Sequence, residues 1–281
     1  MFRSLVPALI APFLLATACA KEADPDAMRV GATSAIGALR AVPDNAADAS
    51  TGRIEMTFAI GDPDGKVSFG GDGAFDTEAG RTALTLDLGG VDELLDEPVE
   101  IVVDGHVTYL RLPMLAPLIG DAGWLSASAA DLGQVGGALG LPGGGTDPTQ
   151  ILETLRGAGD AHEVGPQVIR GVPTTRYDAK IDFEDALDGA PPGQRDRIEA
   201  QLDDLGATLD ELPVSVWIDA DGLARRFQIE LGGAGGQLTM VVELFDYGEP
   251  VHIVVPSPAD VTPFSEVLGS LAGSFTDQAV A

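Results

Sequence analysis

From Thr51 onward the sequence repeats every two residues. Ile54, Met56, Phe58 and Ile60 alternate with Arg53, Glu55, Thr57 and Ala59, the pattern of a strand with one buried face. Asp62-Pro63-Asp64-Gly65 is turn chemistry. Val67, Phe69, Ala74 and Phe75 form a returning strand, interrupted by Gly70-Gly71-Asp72-Gly73; glycines inside a strand mark a bulge, a sharp bend or a close approach of something else. Leu84, Leu86 and Leu88 alternate with Thr85 and Asp87 in a third strand. The clearest hairpin is Val99–Val103, Asp104-Gly105, His106–Leu110. Asp-Gly between alternating strands favours a two-residue type I′ turn. That register puts Val99, Ile101, Val103, Thr108, Leu110 and Leu112 on one face and pairs a solvated His106 beside the turn.

A second set of hairpins follows. Val164, Val168 and Ile169 turn at Gly171 into Thr174–Phe183. Val214, Val216 and Ile218 run up to the turn Asp219-Ala220-Asp221-Gly222. Phe227, Ile229 and Leu231 return, then Leu238–Leu244 after the glycines at 232–236, and Val251, Ile253 and Val255 make a last short strand. Between and around the two sets lie helical segments. Residues 29–41 form a short amphipathic helix on Val30, Ile36, Leu39 and Val42, ended by Pro43. Residues 113–157 break the strand pattern with an apolar stretch Pro113–Ile119, then Trp124-Leu125, a weakly helical Ser126–Leu139, a glycine-rich loop, and a helix from Asp147-Pro148 to Leu155. Gln194–Ala207 is an amphipathic helix, and Asp260–Ala272 a terminal helix or tail. No helix alternates with every strand, which disfavours a parallel βαβ sheet. The fold class is α+β: a long, curved antiparallel sheet with helices packed on one face. The two hairpin sets, 51–112 and 160–255, resemble each other loosely.

The first residues are of a different kind. Arg3 precedes an apolar run from Leu5 to Leu15, then small residues lead to Cys19, the one cysteine of the 281 residues. The run is too short to cross a bilayer of ~30 Å and has the form of a secretory signal peptide, residues 1–18. Ala16-Thr17-Ala18-Cys19 resembles a bacterial lipobox, which implies cleavage before Cys19 and its acylation. An ordinary A-x-A site is also present, and cleavage after Ala20 would discard the cysteine. Residues 19–28 then form a tether, 29–257 a single domain and 258–281 a C-terminal tail. With no second cysteine there is no internal disulfide, so the core alone holds the domain; 45% hydrophobic residues suffice for that at this length.

The formal net charge is −28, from 16 basic and 44 acidic residues, and −29 once Arg3 leaves with the leader. Such a field repels nucleic acid and anionic lipid surfaces. Spread over the chain, it fits either a well-solvated surface or a cationic partner or divalent ions. His106, His162 and His252 share no ligand spacing for zinc, and no Gly-x-Ser-x-Gly elbow occurs. Asp219-x-Asp221-Gly222 matches the start of a calcium loop but lacks the later ligands, and reads as a hairpin turn. Gly143-Gly144-Gly145 is followed by no Lys-Ser/Thr and is no phosphate loop. Neither catalytic residues, nor a metal site, nor a cofactor is expected, and the chain is read as not an enzyme.

What remains is apolar surface. Val99–Val103, Leu110–Leu112 and Val251–Val255 are apolar on both faces, more than a one-sided core requires. Either this is an ordinary core between sheet and helices, or the helices stand off the sheet and leave a lipid-sized cavity.

Several features together resemble the actinobacterial lipoproteins of the LppX/LprG type and, more broadly, the LolA-like fold. They are the lipobox at Cys19, the short helix before the first strand, and the run Glu100–Leu112. They continue with Val164-Gly165 to Gly171 and Thr174–Asp182, Leu212–Asp219 with Gly222–Arg226, and Asp246–Val251. The resemblance covers most of residues 29–257 and contains no catalytic motif. It implies an antiparallel half-barrel whose concave face is covered by helices around a hydrophobic cavity. It also implies binding of acylated lipids or glycolipids and their carriage across the cell envelope, by a protein anchored through Cys19 to the extracytoplasmic face of the cell membrane. Met56, Phe58, Leu84, Leu86, Ile101, Leu110, Leu115, Leu118, Val216 and Met240 are then the expected cavity lining, with Met114–Trp124 as a flap. The alternative is an envelope sensor of the same fold acting on a membrane transporter or other cationic partner protein.

Overall fold

The computed structural model describes residues 25–62, 65–89, 97–113, 116–119, 123–128, 152–182, 211–233 and 236–267. Two antiparallel meanders make up one sheet. The first runs through β1 (Thr51–Asp62), β2 (Gly65–Asp76), β3 (Arg81–Asp87), β4 (Val99–Asp104), β5 (Val107–Arg111) and β6 (Trp124–Ala127). The second runs through β7 (Ala158–Ile169), β8 (Val172–Asp182), β9 (Glu211–Asp219), β10 (Ala224–Gly233) and β11 (Gly236–Phe245), and β12 (Val261–Pro263) closes the series. The order is β12-β6-β5-β4-β3-β2-β1-β11-β10-β9-β8-β7. The loosely similar hairpin sets are thus the two halves of a twelve-stranded sheet, joined where β1 pairs antiparallel with β11.

The register sorts side chains cleanly. Ile54, Met56, Phe58 and Ile60 oppose Leu244, Val242, Met240 and Leu238 on one flank. On the other flank they oppose Gly73, Gly71, Phe69 and Val67. This inner face continues through Leu84 and Leu86 to Ile101 and Val99, then to Leu110 and Leu125. In the other direction it passes through Phe227 and Ile229 to Val216 and Val214, then to Tyr177 and Ala179. The glycines of β2 mark close approach, one of the three expected meanings. A Cβ at Gly73 would stand 2.1 Å from the Ala83 carbonyl oxygen, and one at Gly71 2.3 Å from that of Thr85. The strand itself runs without a register shift.

The long helix α1 (Pro25–Asp48) packs on β7 and on the short 3₁₀ turn Thr154–Gly157. Its Ala35, Leu39, Val42 and Ala46 join the same core as the inner face. The expected helix over 29–41 was too short at both ends. The helix starts at Pro25, inside the stretch read as tether, and Pro43 lies within it. Proline removes one backbone hydrogen bond, but Leu39, Val42 and Ala46 on either side are fully buried, and that packing carries the helix past it. At its end, Asn45 Nδ2 donates to the Gly222 carbonyl at 3.0 Å, and Arg156 reaches Asp44 at 2.8 Å.

Other expectations need correction. The two-residue hairpin loop is Gly105-His106, since Asp104 pairs with Val107. Only Gly105 takes a positive φ, the pattern of a II′ turn. Asp104 is held in the ladder by Arg81, whose Nε donates to it at 2.9 Å. The shift is by two residues, so every side chain keeps its face. Val251–Val255 alternates in burial but joins no ladder, because both edges of β1 and of its neighbour β11 are already taken. Within the stretch expected to lack strands, Trp124–Ala127 forms β6. Beside it, β12 arises in the expected tail and pairs parallel to β6, while Phe264 and Val267 are buried. The Gln194–Ala207 helix and the whole of residues 129–151 lie outside the described residues.

Candidate functional site: the apolar inner face

Eight of the ten expected lining residues share the inner face. Met56, Phe58, Leu84, Leu86, Ile101, Leu110, Val216 and Met240 are brought onto one surface by the strand register alone. Leu115 lies outside the described residues, and of Leu118 only the backbone, in the short helix α2 (Ala116–Ile119), is described. Cys19 also lies outside them.

Burial along this face is graded. In the row Leu244–Ile54–Gly73–Leu84–Ile101–Leu110 every large side chain is buried. One row on, Phe227, Val242, Leu86 and Val99 are buried while Met56 is half-buried. In the next row Met240 and Phe58 are buried but Ile229 and Phe69 are only partly covered. The last row ends in the cross-strand pair Ile60 and Val67, 45% and 39% exposed. The inner face is therefore a covered apolar surface whose exposed end is the Ile60–Val67 pair of β1 and β2, while Leu231, in the same row on β10, is buried. Phe69 stacks on Phe58, ring centroids 5.0 Å apart and 13° between planes, at that open end. Phe69, Ile60, Val67, Ile229 and Leu238 belong to the surface but were not among the expected lining. The signal was available, since each occupies an inward position of the two-residue repeat; what was missing was how far the cover extends.

The outer face is polar and carries its own network. Trp217 is buried between two guanidinium groups, with the Arg176 and Arg226 carbons 5.1 and 5.3 Å from its ring centre. Its Nε1 donates to Gln167 Oε1 at 2.5 Å. Glu243 accepts from Arg226 and from Arg170, the latter at 2.6 Å. Partial burial pushes its carboxyl up, but the two guanidinium groups outweigh that and hold it below the usual carboxylate range. Tyr247 belongs to the core side instead, edge-on to Phe75; burial pushes its hydroxyl well up, and it donates to the Ala224 carbonyl at 2.9 Å. A shallow groove of about 290 Å³ between β7 and β10 is lined by Asp160, His162, Asp178, Lys180, Ser215 and Glu230 among others. Asp178 is tied to Arg176 and Ser215, and Lys180 to Glu211. The turn Asp219–Gly222 is closed by Asp219 itself, whose Oδ1 accepts from the backbone N–H of Asp221 and Leu223 at 3.0 Å.

An open, curved antiparallel sheet with one covered apolar face and one polar face defines the class of fold. It is the fold of the lipoprotein LppX of Mycobacterium tuberculosis. The two chains superpose with a TM-score of 0.50 at 14% identity, over 79% of this chain and 99% of that one. LprF of Mycobacterium bovis is similar over 81% of this chain and 99% of its own, at 14% identity and a TM-score of 0.47. In sequence the chain is 24% identical over 250 residues to an uncharacterised 31.2 kDa protein from the rplA–rplJ intergenic region of Streptomyces griseus. That match covers 85% of this chain and 82% of the other. No protein-family model matches the chain.

Proposed function

We propose that this chain is a cell-envelope lipoprotein that binds acylated lipids or glycolipids against its inner face and carries them across the envelope. The observation that supports this most directly is the burial gradient. A surface of aliphatic and aromatic side chains continues from a closed core to an exposed end, so an acyl chain entering past Ile60 and Val67 would slide along apolar contacts throughout. Each methylene so buried contributes about 0.8 kcal/mol. Binding of this kind needs area and no reactive group, and the proposal includes that the chain catalyses no reaction. The fold shared with LppX is in keeping with it, and so is the expected leader, residues 1–18, before Cys19, whose acylation would hold the protein at the extracytoplasmic face.

The test is to express the chain from Ala20, purify it without detergent, and record native and denaturing mass spectra with lipid extraction. A stoichiometric acylated lipid, lost in an Ile60→Asp/Phe69→Asp variant that still folds, is the expected result. A native mass equal to the bare chain, with no uptake of added lipid, would overturn the proposal.

A further inference from the structure

The β7–β8 hairpin does not end at the edge of the sheet. β8 and β1 are separated by β9, β10 and β11, yet Arg170 at the hairpin tip binds Glu55 on β1 and Glu243 on β11. Its guanidinium carbon lies 4.1 Å from the ring centre of Phe245. Gln167, on the same hairpin, holds Trp217 of β9. The tip therefore lies across the outer face and ties four strands of the second meander to the first strand of the other.

The backbone at the tip gives a second observation. Arg170 and Gly171 have φ of +47° and +81°, the two left-handed positions of a type I′ turn that Asn-Gly fills at least cost. An arginine in the first of them is held against its backbone preference. The turn has no use for the arginine side chain; its use is the bridge to Glu55 and Glu243.

That bridge grips the inner face from behind. Glu55 lies between Ile54 and Met56, and Glu243 between Val242 and Leu244, so the outward carboxylates that Arg170 holds alternate with inward residues of the candidate site. We propose that the β7–β8 tip is a strap that fixes the curvature of the sheet at the β1–β11 seam, and that its release widens the inner face and lets a bound acyl chain leave. The coupling to ligand rests on the function proposed above; the strap itself does not.

The experiment compares the mature chain with Arg170→Asn, which suits the turn but removes the bridge. Amide exchange across Ile54–Phe58 and Val241–Phe245 is followed together with the dissociation of a pyrene-labelled fatty acid. In a Trp124→Phe background the emission of Trp217 reports the strap. Arg170→Asn is expected to speed exchange at the seam, shift Trp217 emission and raise the fatty-acid off-rate about tenfold, with the on-rate little changed. Unchanged exchange at the seam overturns the strap, whether or not the probe binds. Faster exchange with an unchanged off-rate overturns the coupling. If the unaltered chain takes up no probe at all, the lipid reading fails, and exchange alone decides the strap.

Discussion

Two glycines on β2 set how closely the first meander can coil. Gly71 and Gly73 face inward, opposite Leu86 and Leu84 on β3. A Cβ at Gly73 would meet the Ala83 carbonyl oxygen at 2.1 Å and Leu84 Cδ2 at 2.7 Å. The leucine tip can rotate away, whereas the carbonyl belongs to the sheet ladder and cannot. Gly73→Ala should therefore lower the unfolding free energy by about 2–3 kcal/mol. Gly37→Ala, in α1 with nothing within 4 Å of the added carbon, should raise it by about 0.5–1 kcal/mol. Urea melts of the two variants check this, and a neutral Gly73→Ala would show that β2 and β3 are less tightly apposed in solution. Glu243 gives a pH signature at the same scale. Burial raises its pKa but Arg226 and Arg170 lower it further, so its folded value lies below its ordinary 4.5. The stability it contributes is fully present above the unfolded pKa and is lost as pH falls through the folded one. Glu243→Gln should be less stable than the unaltered chain at pH 7, with a gap that narrows below about pH 4.5. A gap independent of pH between 7 and 3 would show that the carboxylate charge is not what holds the two arginines.

Among the elements, α1 shows where the sequence could be read and where it could not. Period-two alternation named nearly every inward residue, because side-chain facing in a strand depends on local geometry alone. Even the hairpin at Gly105 kept its faces after a two-residue shift in register. Pairing across the sheet was not legible in the same way. Val251–Val255 reads like a strand and joins none, whereas Val261–Pro263 looks like tail and pairs with β6. Which edge is free depends on contacts more than a hundred residues apart, and so does the length of α1. Its Pro43 reads as a stop, but the helix is held by burial of Leu39, Val42 and Ala46 and by Asn45 on the β9–β10 turn. Of the candidate surface, the inward set was legible and its exposed end at Ile60 and Val67 was not, since alternation says nothing about what covers a face. The helix should accordingly depend on packing more than on propensity. Leu39→Ala, at a site with no exposure, is expected to cost about 2–5 kcal/mol and to lower Tm with the unfolding still cooperative. Loss of helical circular dichroism ahead of the sheet signal would instead mean that α1 is a separable unit.

Charge governs the behaviour of the whole molecule. A net −28 on 281 residues opposes compaction through self-repulsion. Against it stand the ion pairs of the described residues. Arg225–Asp219 is largely buried, with 16% and 4% of the side chains exposed, but pairs such as Arg53–Asp246 and Lys180–Glu211 are about half exposed. Exposed pairs contribute about 0–1 kcal/mol each and weaken in salt. Salt therefore pulls in both directions. The pairs act over a few ångströms and are screened only in part. The repulsion is summed over the whole surface, at separations beyond the Debye length of ~8 Å that holds near 0.15 M. Adding sodium chloride from about 0.01 to 0.15 M, where that length falls from ~30 to ~8 Å, should remove more repulsion than attraction, so Tm should rise. The bridge of Arg170 to Glu55 and Glu243 belongs to the smaller, attractive side of this balance, and Arg170→Asn should show the steeper rise of Tm with salt, having less attraction to lose. Thermal melts of both chains across that range test the balance. A Tm that falls as salt is added would mean that the ion pairs outweigh the summed repulsion of the net charge.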